Sequence, residues 1–330
     1  MAIAETIREA IDKAERILVI THVGPDGDAL GSLTAVGIAL TQQGKEVTLI
    51  CDDFLPHRFD FLPMWDRIRR TPEDCARHDL IIVVDCGDEL RMGQIYVDLP
   101  QPHPRLINID HHITNTRFGE INHIDANAVS TTEILFKLFA DMGYPLTVEL
   151  AVSLLTGLVT DTLGFRTTGV TAETLKIAGA LVEAGADLPT VTVQTLNLKP
   201  MSTLLLWRIG LSNMKFEDGL VWAAISNEER KAIGHTSSSS SGLVNLMSNV
   251  DEAAIGAVLL EMEDGSIRVG FRCRPPYSVS ELAQNLGGGG HALASGCTLE
   301  GPLDKAEALV VELTKQTIRQ QEAIISDGHR

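Results

Sequence analysis

The sequence predicts an α/β protein, with a Rossmann-like, mainly parallel sheet in a first domain and a smaller α+β domain with a mixed sheet after it. Three observations carry this. Up to residue 190, short apolar runs rich in β-branched residues alternate with segments of helical periodicity, as in a parallel sheet covered by helices. From residue 207 onward the pattern changes to strand pairs joined by tight acidic-glycine turns. The length of 330 residues suits two domains, each large enough to bury a core.

Residues 1–16 mix apolar positions with Glu5, Arg8, Glu9, Asp12, Lys13, Glu15 and Arg16, which describes a surface helix and not a signal peptide. Strands are expected at 17–21, 47–51, 80–84 and 106–109, each buried on both faces. Helices are expected at 30–43, 131–142, 148–159 and 171–183, with Gly44, Gly143 and Gly185 closing the first, second and fourth. Ser130-Thr131-Thr132-Glu133 reads as a capping box opening the second helix. The domains are expected at 1–190 and 207–330, joined by a connector at 191–206 that contains a short helix. In the second domain, Glu217-Asp218-Gly219 and Glu263-Asp264-Gly265 each sit between two apolar runs and predict two hairpins. The tract from Thr236 to Ser241 is a low-complexity loop to which no chemistry is assigned.

Composition bounds the function. A net charge of −17 argues against a broad basic surface for long nucleic acid or an anionic membrane. The five cysteines (Cys51, Cys75, Cys86, Cys273 and Cys297) form no C-x-x-C pair, which suits a reducing cytoplasm. No stretch approaches the roughly 20 apolar residues of a membrane span. A soluble cytoplasmic protein is expected.

In open α/β sheets ligands bind beyond the carboxyl ends of the strands. The first strand runs into a glycine-rich turn bearing His22, Asp26 and Asp28, whose two carboxylates can diverge around Gly27 towards two ions. A calcium-loop reading lacks the later ligands. The third strand ends at Asp85 and the fourth at Asp110-His111-His112, while Asp161 follows the helix 148–159. A lone aspartate at such a place is ordinarily a helix cap or turn residue. Paired histidines beside an aspartate carry more weight, because imidazole is a common metal ligand. The set His22, Asp26, Asp28, Asp85, His111 and Asp161 has four carboxylates, two imidazoles and no thiolate. It suits manganese, with magnesium or cobalt as substitutes, better than structural zinc. Two such ions about 3.5–4 Å apart can clamp a phosphoryl group and activate water, so phosphate-ester hydrolysis is the natural use.

Gly287, Gly288, Gly289 and Gly290 cost chain entropy on ordering, so something must approach their backbone closely. Their amides can form an anion-binding nest with His291 beside it. Arg268, Arg272 and Arg274 are expected on one strand face. Arg166, five residues past Asp161, is a further candidate for binding phosphate. His57, His78, His103, His123 and His235 lie outside these motifs and read as surface or loop residues.

These motifs resemble those of the DHH family of phosphoesterases, named for the triplet that stands here as Asp110-His111-His112. The likeness spans nearly the whole chain. His22-x-x-x-Asp26-x-Asp28, Val83-Val84-Asp85, Asp110-His111-His112 and Thr160-Asp161-Thr162 follow the family's order, and Phe271-Arg272 with Gly287–His291 resembles its DHH-associated domain. The resemblance implies a first metal site of His22, Asp26 and Asp85, and a second of Asp28, Asp85, His111 and Asp161, bridged by Asp85. It implies that His112 faces the scissile phosphate, that Asp110 orients the imidazoles, that Arg272 grips phosphate, and that water attacks phosphorus while the substrate is handled between two lobes. One departure is Leu163, where the family often has glycine. The compact two-domain members that the chain most resembles degrade very short RNAs and dephosphorylate 3′-phosphoadenosine 5′-phosphate, which implies short nucleotides as substrates, no long duplex nucleic acid, no membrane partner and a homodimer. Alternatives are a soluble cyclic- or linear-dinucleotide phosphodiesterase, an inorganic pyrophosphatase, disfavoured by the glycine-histidine motif, and a non-catalytic nucleotide-binding protein.

Overall fold

Strands that are apolar on both faces are stable only inside a layered sheet, and the first part of the chain builds one. The computed structural model describes residues 3–71, 77–99, 102–235, 237 and 239–327, so Met1, Cys75, Thr236 and Ser238 lie outside the described residues. The first unit is Met1–Leu198. It runs α1 (Ile3–Lys13), β1 (Arg16–Ile20), α2 (Gly27–Gln42), β2 (Glu46–Ile50), β3 (Ile68–Arg69), β4 (Leu80–Val84), α3 (Gln94–Asp98), β5 (Arg105–Asp110) and β6 (Ile121–Ile124). Helices α4 (Thr131–Asp141), α5 (Val148–Asp161), α6 (Ala172–Glu183) and α7 (Leu188–Thr192) follow. All six strands are parallel, in the order β3-β2-β1-β4-β5-β6. Alternate side chains feed two cores: Ile17, Val19 and Ile82 join the larger one with the helices, and Leu18, Ile20, Ile81 and Val83 pack with Met92, Ile95 and Leu99 on the opposite face.

The four expected strands are present, with ends shifted by at most a residue. Two were not anticipated. β3 has only two residues, and β6 is an edge strand whose Asn122 and His123 are half-buried, so neither presents an apolar run. The capping box is half formed. Ser130 Oγ accepts the Glu133 N–H, but the Glu133 carboxylate turns to the Val129 N–H (3.4 Å) and to Lys137 (2.6 Å) instead of the Ser130 N–H.

Helices α2 and α5 meet backbone to backbone. A Cβ at Gly31 would lie 2.5 Å from the Ser153 carbonyl oxygen, and one at Gly27 2.4 Å from Thr160 Cγ2. One at Gly157 would lie 2.4 Å from Asp28 Oδ1 and equally close to Thr132. The close approach brings together the first turn of α2, the first turn of α4 and the end of α5.

The second unit, Lys199–Arg330, begins with α8 (Met201–Ser212). Then come β7 (Lys215–Glu217), β8 (Leu220–Ile225), α9 (Asn227–Ala232), α10 (Leu243–Met247), β9 (Ile255–Glu261), β10 (Ser266–Cys273), α11 (Ser280–Asn285), β11 (Gly289–His291), β12 (Ala294–Glu300) and α12 (Leu303–Asp327). The sheet order is β11-β12-β10-β9-β8-β7, mixed because β8 and β9 are parallel and the other pairs antiparallel. One face buries Ile255, Val269 and Phe271 against Leu282, Val310 and Ile318; the other buries Val221, Ala223 and Val258 against Leu206, Leu243 and Met247. Both hairpins form. The stretch 191–206, expected as a connector containing a short helix, is shared between α7, a π-helical turn at Val193–Asn197 and the first half of α8. Among the described residues no helix is long and apolar enough to cross a membrane, and Cys51, Cys86, Cys273 and Cys297 are free and buried.

Gly157→Ala is expected to destabilise the protein by about 1–3 kcal/mol, because the new methyl meets Asp28 and Thr132. Gly179→Ala, on α6 with open space around it, should stay within about 1 kcal/mol of the parent or exceed it. Urea-unfolding midpoints compare the two.

Candidate metal centre

The polar residues at the strand exits converge. Asp26 caps α2, its Oδ1 accepting the N–H groups of Asp28 and Ala29 (3.0 Å each), and leaves Oδ2 unspent by the cap. Asp28 lies in the first turn of the same helix. Asp85 follows β4 with φ at 55°, a left-handed conformation that non-glycine residues adopt at a cost and that aspartate tolerates better than most. Asp110 is the last residue of β5, directly before the two histidines. Asp161 is the last residue of α5, not part of a separate turn after it. The next turn explains why glycine is common at the position of Leu163: its φ is 50°, where a Cβ is strained.

Three overlapping groups of potential ligand atoms result, each within 4.8 Å: His22, Asp26 and Asp85; Asp28, His111 and Asp161; and Asp85, His111 and His112. Asp85 faces both ways. Its Oδ2 lies 3.5 Å from His22 Nε2, and its Oδ1 lies 3.7 Å from His111 Nε2. His111 Nε2 also lies 3.2 Å from Asp161 Oδ2 and 3.9 Å from Asp28 Oδ2. Asp26 and Asp28 therefore diverge into different groups.

Several residues that position these groups escaped the sequence reading. The Thr131 N–H donates to Asp28 Oδ2 (2.6 Å) while its hydroxyl donates to Asp85 Oδ1 (2.9 Å). Thr132 donates its N–H (3.0 Å) and its hydroxyl (2.8 Å) to Asp28 Oδ1. The only signal was the capping motif, which marks these threonines as the amino end of a helix, where backbone N–H groups favour an anion. Asp110 orients one imidazole, not both: its Oδ1 accepts from His112 Nδ1 (2.7 Å), its Oδ2 from Asn115 (2.6 Å), and His111 Nδ1 instead meets the Ala128 carbonyl (3.3 Å). His22 Nδ1 lies 2.8 Å from the Val23 carbonyl and 3.2 Å from Arg91 Nη2.

Asp28 and Asp85 are 0% and 1% exposed. Burial, and then the Asp161 charge, push Asp28 up to about 7; burial and the neighbouring aspartates raise Asp85 well above its ordinary range. Burial alone would depress His111, but the hydrogen bond to Asp161 and the charges of Asp28 and Asp161 lift it to about 9. Burial lowers His22. Asp110, despite burial, is held low by its bonds from His112 and Asn115. Among the described residues no lysine or arginine pairs with Asp26, Asp28, Asp85 or Asp161. Four crowded carboxylates, offset in part by the raised His111 and, at Asp26, by the Arg58 charge, and surrounded by oxygen and imidazole donors, fit divalent metal ions of the manganese and magnesium kind.

The second unit holds the remaining candidates. Arg268 and Arg272 share one face of β10 and line a cavity of about 490 Å³ with Gly287, Gly288, Ser239, Ser240 and Thr298. Arg274 departs from that face, donating to the Val250 carbonyl (2.9 Å) and lining a different cavity. The glycine run is explained partly by its own sheet. A Cβ at Gly288 would lie 2.1 Å from the Gly296 carbonyl oxygen and one at Gly290 2.6 Å from that of Ala294, whereas Gly287 and Gly289 face open space. His291, at the end of β11, is exposed. In the first unit Arg166 is exposed, with Nε bonded to the Leu163 carbonyl (2.7 Å), and belongs to none of the three ligand groups.

The raised carboxyl groups set a sign for stability. Asp28 titrates near 7 when folded and near 3.8 when unfolded, so the metal-free folded chain holds the extra proton between those values. That contribution is complete below the unfolded value and lost as pH rises towards 7, and His111, also raised, acts in the same direction up to about 9. With chelator present, the melting temperature should fall between pH 5 and pH 8. Added manganese should raise it more at pH 8 than at pH 5, and equal shifts at both would contradict the assignment.

The DHH family N-terminal domain matches residues 16–158, and the DHHA1 domain matches residues 220–320. The chain is 33% identical over 305 residues, covering 92% of it and 90% of the relative, to the bifunctional oligoribonuclease and PAP phosphatase NrnA of Thermus thermophilus. It is 28% identical to the protein of the same description from Bacillus subtilis, covering 94% and 96% of the two chains. The solved structure of an exopolyphosphatase-related protein from Bacteroides fragilis superposes with a TM-score of 0.89 at 25% identity over 98% of both chains. With both domains matched in order and this likeness running through nearly its full length, the chain belongs to the DHH family.

Proposed function

We propose that the chain is a divalent-cation-dependent phosphoesterase that hydrolyses oligoribonucleotides of a few residues, linear dinucleotides, and the 3′-phosphate of 3′-phosphoadenosine 5′-phosphate. The observation that carries the reading is Asp85, a buried carboxylate with one oxygen towards each of two ligand groups. The Thermus and Bacillus relatives, described as acting on oligoribonucleotides and PAP along almost their whole length, support the substrate class.

Two cations, manganese on this donor set with magnesium or cobalt as substitutes, would be held by His22, Asp26 and Asp85 and by Asp28, Asp85, His111 and Asp161, and would neutralise phosphate charge and acidify a water. The chain's own groups do the rest. Thr131 and Thr132 fix the carboxylates of Asp28 and Asp85, so that they do not reorganise when a substrate arrives. Asp110 occupies His112 Nδ1, which leaves Nε2 to meet a phosphate oxygen. In the reaction a water oxygen bonds to phosphorus, the P–O bond to the leaving nucleoside breaks, and the leaving oxygen takes a proton. Arg272, beside Arg268 and the bare backbone of Gly287 and Gly288, offers a fork in a cavity of about 490 Å³, the size of a nucleotide. The net charge of −17 disfavours long polyanions, so short ones are the better substrates.

A manganese-supplemented panel of 3′-phosphoadenosine 5′-phosphate, 5′-phosphorylated dinucleotide, longer RNA, cyclic dinucleotide and pyrophosphate tests this. Turnover of the first two is expected, and turnover of neither would refute the proposal; pyrophosphate hydrolysis alone would favour a pyrophosphatase. Asp85→Asn should abolish both activities. Arg272→Met should raise KM about ten- to hundredfold while kcat changes less, as steady-state kinetics would read.

A further inference from the structure

His235, expected at the surface or in a loop, lies in a loop but is only 7% exposed, and it adjoins the most deeply buried arginine among the described residues of the second unit. Arg230, at 2% exposed, lies on α9, and the His235 N–H closes the end of that helix onto the Arg230 carbonyl (3.0 Å). Both side chains line a cavity of about 400 Å³ between α9 and the β9–β10 turn, with Asn227, Lys231, Met262 and Glu263. Each carries a buried nitrogen without a partner, Arg230 Nε and His235 Nδ1.

The guanidinium is satisfied only by neutral acceptors. Nη1 donates to the Glu261 carbonyl (2.5 Å) and approaches the Met262 thioether (3.4 Å), and Nη2 donates to the Ser237 carbonyl (2.7 Å). Carbonyls orient a guanidinium without cancelling its charge, and a thioether is a weak acceptor. The carboxylates lining the cavity are engaged elsewhere: Glu263 with Lys231 (3.3 Å), Asp264 with the Ser266 N–H (2.9 Å) and hydroxyl (2.6 Å). The buried positive charge feels the Glu263 carboxylate, which is shared with Lys231, and among the described residues it forms no ion pair of its own. Ser241 Oγ lies 3.3 Å from His235 Nε2; if that hydroxyl donates there, the ring proton sits on Nδ1 and gives a second donor beside Arg230 Nε.

We propose that this cavity binds the carboxylate of a small monoanionic molecule, held by Arg230 Nε and His235 Nδ1 after Met262 swings aside. A single negative charge balances the site, whereas a phosphate dianion would exceed the balance and meet Glu263 and Asp264. The site bears on the neighbouring cavity through the serine tract. Ser237 and Ser241 are tied to Arg230 and His235, while Ser239 and Ser240 line the cavity of Arg268 and Arg272.

The test titrates the full-length protein with sodium acetate and sodium benzoate, following the Arg230 Nε–H signal by NMR, with sodium chloride at matched ionic strength and inorganic phosphate as controls. A saturable shift with either carboxylate and none with chloride is expected. Arg230→Met lacks the reporting N–H, so calorimetric titration reads it, and there carboxylate binding should be lost. His235→Gln retains a polar group where Nε2 meets Ser241 but removes Nδ1, so it should weaken carboxylate binding about tenfold at an unchanged melting temperature. No response to carboxylate, as from a cavity holding only water, would overturn the proposal. Tighter binding of phosphate than of carboxylate would overturn it too, as would undiminished binding by the folded His235→Gln protein.

Discussion

Two carboxylates that water does not reach, those of Asp28 and Asp85, constrain the rest of the first unit. An aspartate in such a place gives up its charge or finds compensation. Hydrogen bonds supply part of it: both oxygens of Asp28 accept from the first turn of α4, and one oxygen of Asp85 from Thr131. The three bonds to Asp28 exist only if the start of α4 lies against the start of α2, and there the side chains must be absent. Gly157 leaves room for Asp28 and Thr132, and Gly27 and Gly31 let α2 close on α5. The left-handed backbone of Asp85 belongs to the same arrangement, turning its carboxylate between His22 and His111. Packing, strain and polarity thus converge on one requirement, that four aspartates be held close together around His111, whose raised affinity for a proton offsets them only in part.

How much of this was legible depended on whether the cause lay within one segment. Strands β1 and β4 were readable because burial on both faces leaves an unbroken apolar run, and β2 and β5 because only Thr48 and Asn108 interrupt theirs. β6 was not, since an edge strand keeps Asn122 and His123 half in water. The ligand candidates could be named because ionisable residues at strand exits stand out against apolar neighbours. Thr131 and Thr132 could not be assigned to Asp28 and Asp85, because the same residues satisfy a local helix-start pattern, and only the contact between α2 and α4 reveals the second use. The expectation that Arg274 shares a face with Arg268 and Arg272 failed for a similar reason: alternation holds within β10, and Arg274 lies beyond its end.

The glycine run shows how one motif divides between two causes. Gly288 and Gly290 are required by the facing strand β12, whose carbonyls sit where a side chain would begin. That requirement is structural and would persist without any ligand. Gly287 has no such neighbour, but its φ of 77° by itself favours glycine, whereas Gly289 has neither cause, so the entropy of keeping it bare is not accounted for by packing. The Gly287 N–H is itself spent on the Gln284 carbonyl (2.9 Å), so a ligand role for the run rests on the close approach that bare backbone allows and not on that amide.

Net charge misleads for a related reason. The chain carries −17, yet the acidic excess is not spread evenly. Four aspartates are concentrated in the first unit, where divalent ions would reverse the local sign, and the cavity on β10 presents Arg268 and Arg272 over the bare backbone of Gly270 and Gly296. An anion a few ångströms from either responds to the nearest charges, because screening at about 8–10 Å removes most of the remainder. A polymer extending beyond that range meets the average surface, which repels it. On the proposed reading, the length of the substrate is set by how far favourable local charge extends, and the acidic exterior is the element that keeps it short.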